Sequence, residues 1–228
     1  MLPALVALLL VGSVALAVYA RRAVSGSVAH YRQIPGRSGL SGREVAEFLL
    51  RAGQVEGVKV ERSAGGELSD HYDPSARVLR LSQAVHDGRD LAAIGVAAHE
   101  AGHALQHAEG YWPLGLRSFS VPLVRLGGTV GLPLAVAGLA MRSLPLTGLG
   151  LGLFALVVVF QLVTLPVELD ASKRAVMALS GTGLLETDEE EKGVRSVLSS
   201  AALTYLAAAV SSIAGLAQVL LRLFGRRF

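Results

Sequence analysis

The sequence predicts a mainly α-helical integral membrane protein, with about four transmembrane helices and a small water-facing α+β domain that carries a metal-binding helix. Three observations lead there. Of its 228 residues 52% are hydrophobic and the mean hydropathy is +0.50, too apolar for an ordinary soluble domain. The apolar residues fall into runs long enough to cross a bilayer, with the charges collected between them. One polar interval contains Ala97-Ala98-His99-Glu100-Ala101-Gly102-His103, a His-Glu-x-x-His pattern.

Composition narrows the function classes. The absence of cysteine excludes disulfides and thiolate metal ligands, which leaves histidine and carboxylate as ligands. The net charge of +3 is modest, and the basic residues mostly flank apolar runs. This is the signature of membrane topology and lipid-headgroup contact, so the bilayer is an expected partner and nucleic acid is not.

Leu2 to Ala20 carries no charge and is long enough, at about 1.5 Å per residue, to cross roughly 30 Å of hydrocarbon. Arg21-Arg22 closes the run. A cleaved signal peptide is the competing reading, but no basic residue precedes the run and the positive pair follows it. That order favours an uncleaved anchor over residues 1–20, with Arg21 onward in the cytoplasm.

Residues 21–118 form the water-facing region. Ser41-Gly42-Arg43-Glu44 reads as a capping box, with Leu40 and Val45 placed as its hydrophobic staple, opening a short amphipathic helix that Gly53 ends. Val58 to Arg62 and Ala76 to Leu81 alternate with period two, and Gly65-Gly66 marks a turn between them, which predicts a small antiparallel sheet. Asp70-His71-Tyr72-Asp73-Pro74 reads as a polar loop in which Asp73-Pro74 favours a turn. Its bland role is loop capping; its functional role would be to hang His71 or Tyr72 over the metal and help bind substrate or an oxyanion.

Asp90 is the expected N-cap of the motif helix, no proline interrupts Leu91 to Ala108, and Gly110 stands where the helix should stop. Residues four apart lie one above the other on a helix, so His99 and His103 can share one zinc ion. Glu100, beside the first ligand, is placed to act as general base on a water at the open position. A chance match on an amphipathic helix is the alternative, and the small residues Ala98, Ala101, Gly102 and Ala104, which allow close packing, weigh against it. His107 lies eight residues from His99, a rise of about 12 Å, and cannot share an ion whose bonds are about 2 Å long.

Val121 to Met141 and Leu144 to Val167 read as two spans joined by a tight Arg142-Ser143 turn, within a segment set at residues 119–167. The second emerges at Glu168-Leu169-Asp170-Ala171-Ser172-Lys173-Arg174, on the side that carries His99. A carboxylate beyond the motif helix is what a site of two histidines and one glutamate requires; a solvated helix flank is the alternative. Residues 168–196 form a second cytoplasmic segment, in which the acidic run Thr187 to Lys192 reads as a solvated loop. Residues 197–228 hold a fourth span, Val197 to Leu221, and a basic tail. A full crossing would carry Arg222, Arg226 and Arg227 outside, against the positive-inside bias, and a re-entrant or interfacial last helix would return them to the cytoplasm.

The series Gly39-Leu40-Ser41-Gly42, Asp70-His71-Tyr72-Asp73-Pro74, Val78-Leu79-Arg80-Leu81-Ser82, the His99–His103 motif, Leu165-Pro166-Val167-Glu168-Leu169-Asp170-Ala171-Ser172 and Ala201-Ala202-Leu203-Thr204-Tyr205 resembles the YugP-type bacterial membrane zinc metallopeptidases over nearly the whole chain. More distantly it resembles membrane-embedded gluzincins, in which the Glu of a Glu-x-x-x-Asp helix is the third ligand. The resemblance implies a zincin-like peptidase of a bacterial cell membrane, with Zn2+ on His99, His103 and Glu168 and Glu100 as catalytic base, and it names no substrate. The charge order around the first span turns the active site toward the cytoplasm, and that location close to the bilayer points to a peptide or membrane-protein substrate. Ser172 stands where those relatives have Asp, so Asp170 or Asp70 is expected to orient a histidine instead. A zinc-stabilised scaffold or small transporter is the other class, in which Glu100 is dispensable. An intramembrane-cleaving protease fits poorly, because charges at Asp87, Arg89, Asp90 and Glu109 bracket the motif closely.

Overall fold

The structure, a computed structural model, describes residues 2–67 and 69–224; Arg226 and Arg227 of the predicted basic tail lie outside them. Among the described residues, four helical stretches are long and apolar enough to cross a membrane: Ala4–Tyr31, Trp112–Ala140, Leu144–Gly181 and Asp188–Leu223. The chain divides into two compact units. One comprises residues 1–21, 115–166 and 203–228; the other comprises 22–114 and 167–202.

The first unit holds the apolar helical segments. Helix α1 (Leu2–Tyr31) begins here and presents Leu5, Leu8, Val11 and Val14 outward, a surface that suits hydrocarbon and not water. Helices α5 (Trp112–Leu126) and α6 (Leu132–Ala140) are joined without a break by one π-helical segment, Gly127–Gly131. After the predicted turn at Arg142-Ser143 the chain returns as α7 (Leu144–Gly181). Small residues let this hairpin close to backbone contact. A Cβ on Gly127 would lie 2.4 Å from the Leu153 carbonyl oxygen, and one on Gly138 would lie 2.4 Å from the Thr147 nitrogen. Lipid tails offer no hydrophobic drive between apolar helices, so close packing of this kind has to hold them.

The second unit is built on α2 (Gly42–Ala52), a short α3 (Gln83–Asp87) and α4 (Leu91–Ala108), with strands β1 (Lys59–Arg62), β2 (His71–Asp73) and β3 (Val78–Leu81). Ser41 and Glu44 form the predicted capping box. Val45, Leu49 and Leu50 of α2 then pack with Leu79 and Leu81 of β3 and with Leu91, Ile94 and Ala98 of α4, which becomes the unit's central helix. Ala175, Val176 and Leu179 of α7 and Val194 and Leu198 of α8 (Asp188–Phe224) complete the same core. Four contiguous elements covering α4 explain why it is apolar nearly all round.

Several elements differ from expectation. The sheet is mixed, in the order β1-β3-β2, with β1 parallel to β3 and β2 antiparallel to it. The hairpin turn is Asp73 to Arg77, where Asp73 accepts hydrogen bonds from the Ser75 and Ala76 backbones and Arg77 takes a positive φ of 53°. Residues 71–73 are therefore a strand and not a loop, and β1 is left to pair with the other edge of β3. Helix α1 runs through Arg21-Arg22 to Tyr31, because arginine is a good helix former and nothing in that stretch breaks a helix. The acidic run begins α8 instead of forming a loop. Glu190 is buried and accepts the backbone N–H groups of Glu186, Thr187 and Arg37, while Thr187 caps the Glu190 nitrogen. Carboxylates there also face the positive end of the helix dipole. Helix α8 continues unbroken to Phe224 as one long helix.

Candidate metal centre

The site is positioned by α4 and α7. Asp90 caps α4 by accepting the Ala93 N–H at 2.9 Å, and the helix stops at Glu109 before Gly110, whose φ is +68°. Within it His99 and His103 sit one turn apart, with ring centroids separated by 4.8 Å. Pro166 lies inside α7 without ending it, so Glu168 is delivered by a continuous helix. The two helices touch at Gly102, where a Cβ would lie 2.6 Å from the Ala171 carbonyl oxygen. Only a glycine allows that approach, and the approach carries Glu168 to the histidines.

Glu168 Oε2 lies 3.0 Å from His99 Nε2 and 3.6 Å from His103 Nε2, and Glu168 is 1% exposed. One donor atom from each of the three residues lies within 4.8 Å of the other two. Ligand atoms bonded at about 2.0–2.1 Å around a tetrahedral ion stand roughly 3.3–3.5 Å apart, so the spacing and the N,N,O donor set both fit zinc.

The remaining histidine nitrogens are also engaged. His103 Nδ1 is 2.9 Å from Gln106 Oε1, while the Gln106 amide nitrogen donates to the Val167 carbonyl at 2.9 Å and to Asp170 Oδ2 at 2.8 Å. Two acceptors facing that NH2 group fix its orientation, and Oε1 must then accept from His103 Nδ1–H. The lone pair of His103 consequently sits on Nε2 and points toward Glu168, the tautomer a metal needs. Asp170 is held in turn by Arg174, whose Nε and Nη1 reach Asp170 and Glu109 at 2.6 Å each. His99 Nδ1 lies 3.1 Å from Ser172 Oγ.

The structure thus brings His99, His103 and Glu168 together and puts Asp170 behind His103 through Gln106. Glu100 is buried beside them on α4. The other named residues lie elsewhere. His71 is exposed, with Nδ1 against the Ser69 carbonyl and Nε2 near Arg80. The Tyr72 hydroxyl meets His107 Nδ1 at 2.8 Å, and burial pushes its phenol above the usual range, so it stays protonated. Asp70 accepts from the backbone and hydroxyl of Ser82 and orients no histidine of the centre. Ser172, which stands where the relatives have Asp and whose role was expected to pass to Asp170 or Asp70, itself meets His99. One partner was missed by the sequence reading: Gln106 follows His103 by three positions, a spacing that places two side chains on one helix face, so the signal was present.

Residues 6–224 match the family described as "Putative neutral zinc metallopeptidase". The chain belongs to this family. It is also 43% identical to the "Putative membrane protease YugP" of Bacillus subtilis (strain 168) over 205 residues, covering 90% of each chain. No solved structure matches it. The name of that relative and the four long apolar helices among the described residues agree with membrane association, as the sequence predicted.

Proposed function

We propose that this family member is a membrane-bound zinc endopeptidase. The observation that carries the reading is the convergence of His99 Nε2, His103 Nε2 and Glu168 Oε2, with the second nitrogen of each histidine already committed to a hydrogen bond. Zinc held by His99, His103 and Glu168 would supply the positive charge that polarises a peptide carbonyl and lowers the pKa of a water. Glu100 would serve as the general base, its carboxylate taking a proton from the attacking water and passing it to the leaving amine nitrogen. Gln106 and Ser172 hold the imidazoles in register, and the Asp170–Arg174–Glu109 chain anchors Gln106.

An extended substrate would add its backbone to an outer strand of the sheet. Because β3 is central, that strand is β1 or β2 and not β3. The charge order at the first span supports a cytoplasm-facing site in a bacterial cell membrane, and the apolar helices support peptides or membrane proteins as substrates.

The purified full-length protein should carry about one zinc per chain, and His99→Ala or His103→Ala should abolish binding. Glu100→Gln should keep the zinc and lose hydrolysis of a peptide library. Full hydrolysis by Glu100→Gln would make the protein a zinc-stabilised scaffold or transporter contaminated by another peptidase.

A further inference from the structure

Away from the metal centre, the first unit holds a cleft of about 610 Å³ between the α6–α7 turn and the last turn of α8. Arg142, Ser143 and Arg222 supply its polar lining, and Leu139, Leu144 and Leu223 its apolar walls. Two arginines thus line one cavity. Neither has a hydrogen bond or ion pair among the described residues.

The sequence explains why. Residues 1–21, 115–166 and 203–228 contain no Asp and no Glu, and every basic side chain in them is an arginine. No Asp or Glu side chain within this unit can neutralise Arg142 or Arg222, which leaves both open to a counter-charge from a ligand. Arg142 carries a second mark. It occupies the left-handed position of the turn, with φ +54°, where the Arg142 and Ser143 nitrogens donate to the Leu139 and Gly138 carbonyls. Glycine or asparagine adopts that backbone readily, whereas other side chains pay a steric penalty on the order of 1 kcal/mol. An arginine kept there, beside a second unpaired arginine, is what an anion site requires.

We propose that this cleft binds the headgroup of an anionic phospholipid. The two guanidiniums and the Ser143 hydroxyl donate to phosphate oxygens, for which the planar arginine fork is well matched. The acyl chains leave along Leu144 and Met141, which are exposed. The apolar walls select the lipid over a free anion. This site also accounts for Arg222 at the far end of a fourth span, since its charge is balanced by lipid and not by protein.

The test uses full-length protein in detergent titrated with phosphatidylglycerol, phosphatidylcholine or inorganic phosphate, followed by native mass spectrometry and thermal shift. Phosphatidylglycerol should bind and stabilise the protein, while millimolar phosphate should neither bind nor displace it. Arg142→Gly keeps the turn, because glycine favours its backbone, and should weaken phosphatidylglycerol binding about fivefold; together with Arg222→Gln the loss should reach about thirtyfold. Arg125→Gln, an arginine outside the cleft, should change binding less than twofold. Unchanged lipid binding in the double variant would overturn the proposal, as would equal loss in Arg125→Gln. Binding of inorganic phosphate as strong as that of the lipid would make this a soluble-anion site and overturn the assignment to lipid.

Discussion

Gly102→Ala tests whether helix contact sets the metal geometry. The added Cβ would stand 2.6 Å from the Ala171 carbonyl oxygen, whereas ordinary contact begins near 3.4 Å, so α4 and α7 must separate by about 0.8 Å (3.4 minus 2.6). That oxygen belongs to the backbone and cannot rotate away. His99 and His103 ride on one helix and Glu168 on the other, so the separation falls directly on the 3.0 and 3.6 Å donor spacings. A zinc site tolerates about ±0.2 Å in its bonds. Zinc affinity should therefore drop on the order of 10- to 100-fold, the range seen when a ligand loses its supporting partner. Stability should change much less. Overpacking costs about 1–3 kcal/mol, and alanine recovers about 1 kcal/mol over glycine in a helix. The assay is chelator competition for zinc on metal-free protein, paired with thermal unfolding without metal. Gly95→Ala is the control on the same helix, since its Cβ would meet Val194 at an ordinary 3.5 Å. A Gly102→Ala protein with zinc affinity within twofold of the wild type would refute the reasoning.

Gln106→Leu removes the amide that fixes the His103 tautomer, and should lower zinc affinity about 10- to 100-fold, while Gln106→Glu, which retains an acceptor, should recover part of it; equal affinities in all three proteins would deny Gln106 this role. Glu168→Gln should weaken zinc affinity and activity together, and normal zinc content with normal hydrolysis would remove Glu168 from the ligand set. Acid should weaken the hairpin turn. Hydrogen bonds from the Ala76 backbone and then the Arg80 side chain hold the Asp73 carboxyl below its usual value against slight desolvation. Its contribution is therefore complete above about pH 4 and is lost as pH falls through the lower folded value. The stability difference between wild type and Asp73→Asn should shrink as unfolding is measured from pH 5 down to pH 2.5, and a constant difference would exclude the effect. For topology, a cysteine replacing Ser63 should resist a membrane-impermeant thiol reagent in intact cells and one replacing Ser143 should react; the reverse pattern would put the metal centre outside.

The sequence by itself determined what depends on neighbours along the chain. Helical periodicity placed His99 and His103 on one face, the Ser41 and Asp90 caps set the starts of α2 and α4, and charge-free length marked the long apolar helices. It also put Glu168 forward as the partner carboxylate, although spacing alone could not bring residue 168 to residue 99. That closure was decided in three dimensions by Gly102 against Ala171, a backbone contact with no sequence period of its own. Strand pairing was likewise beyond local reading. Alternation with period two marks a strand but is the same for parallel and antiparallel partners, and only packing on α2 and α4 placed β1 parallel to β3. Hydrogen bonds between distant side chains completed the division. Ser172, an ordinary polar residue in the sequence, became the partner of His99 because α7 meets α4 where a short side chain is enough to reach, whereas the Gln106–His103 bond lies within α4 and only the anchoring of Gln106 by Val167 and Asp170 needs α7.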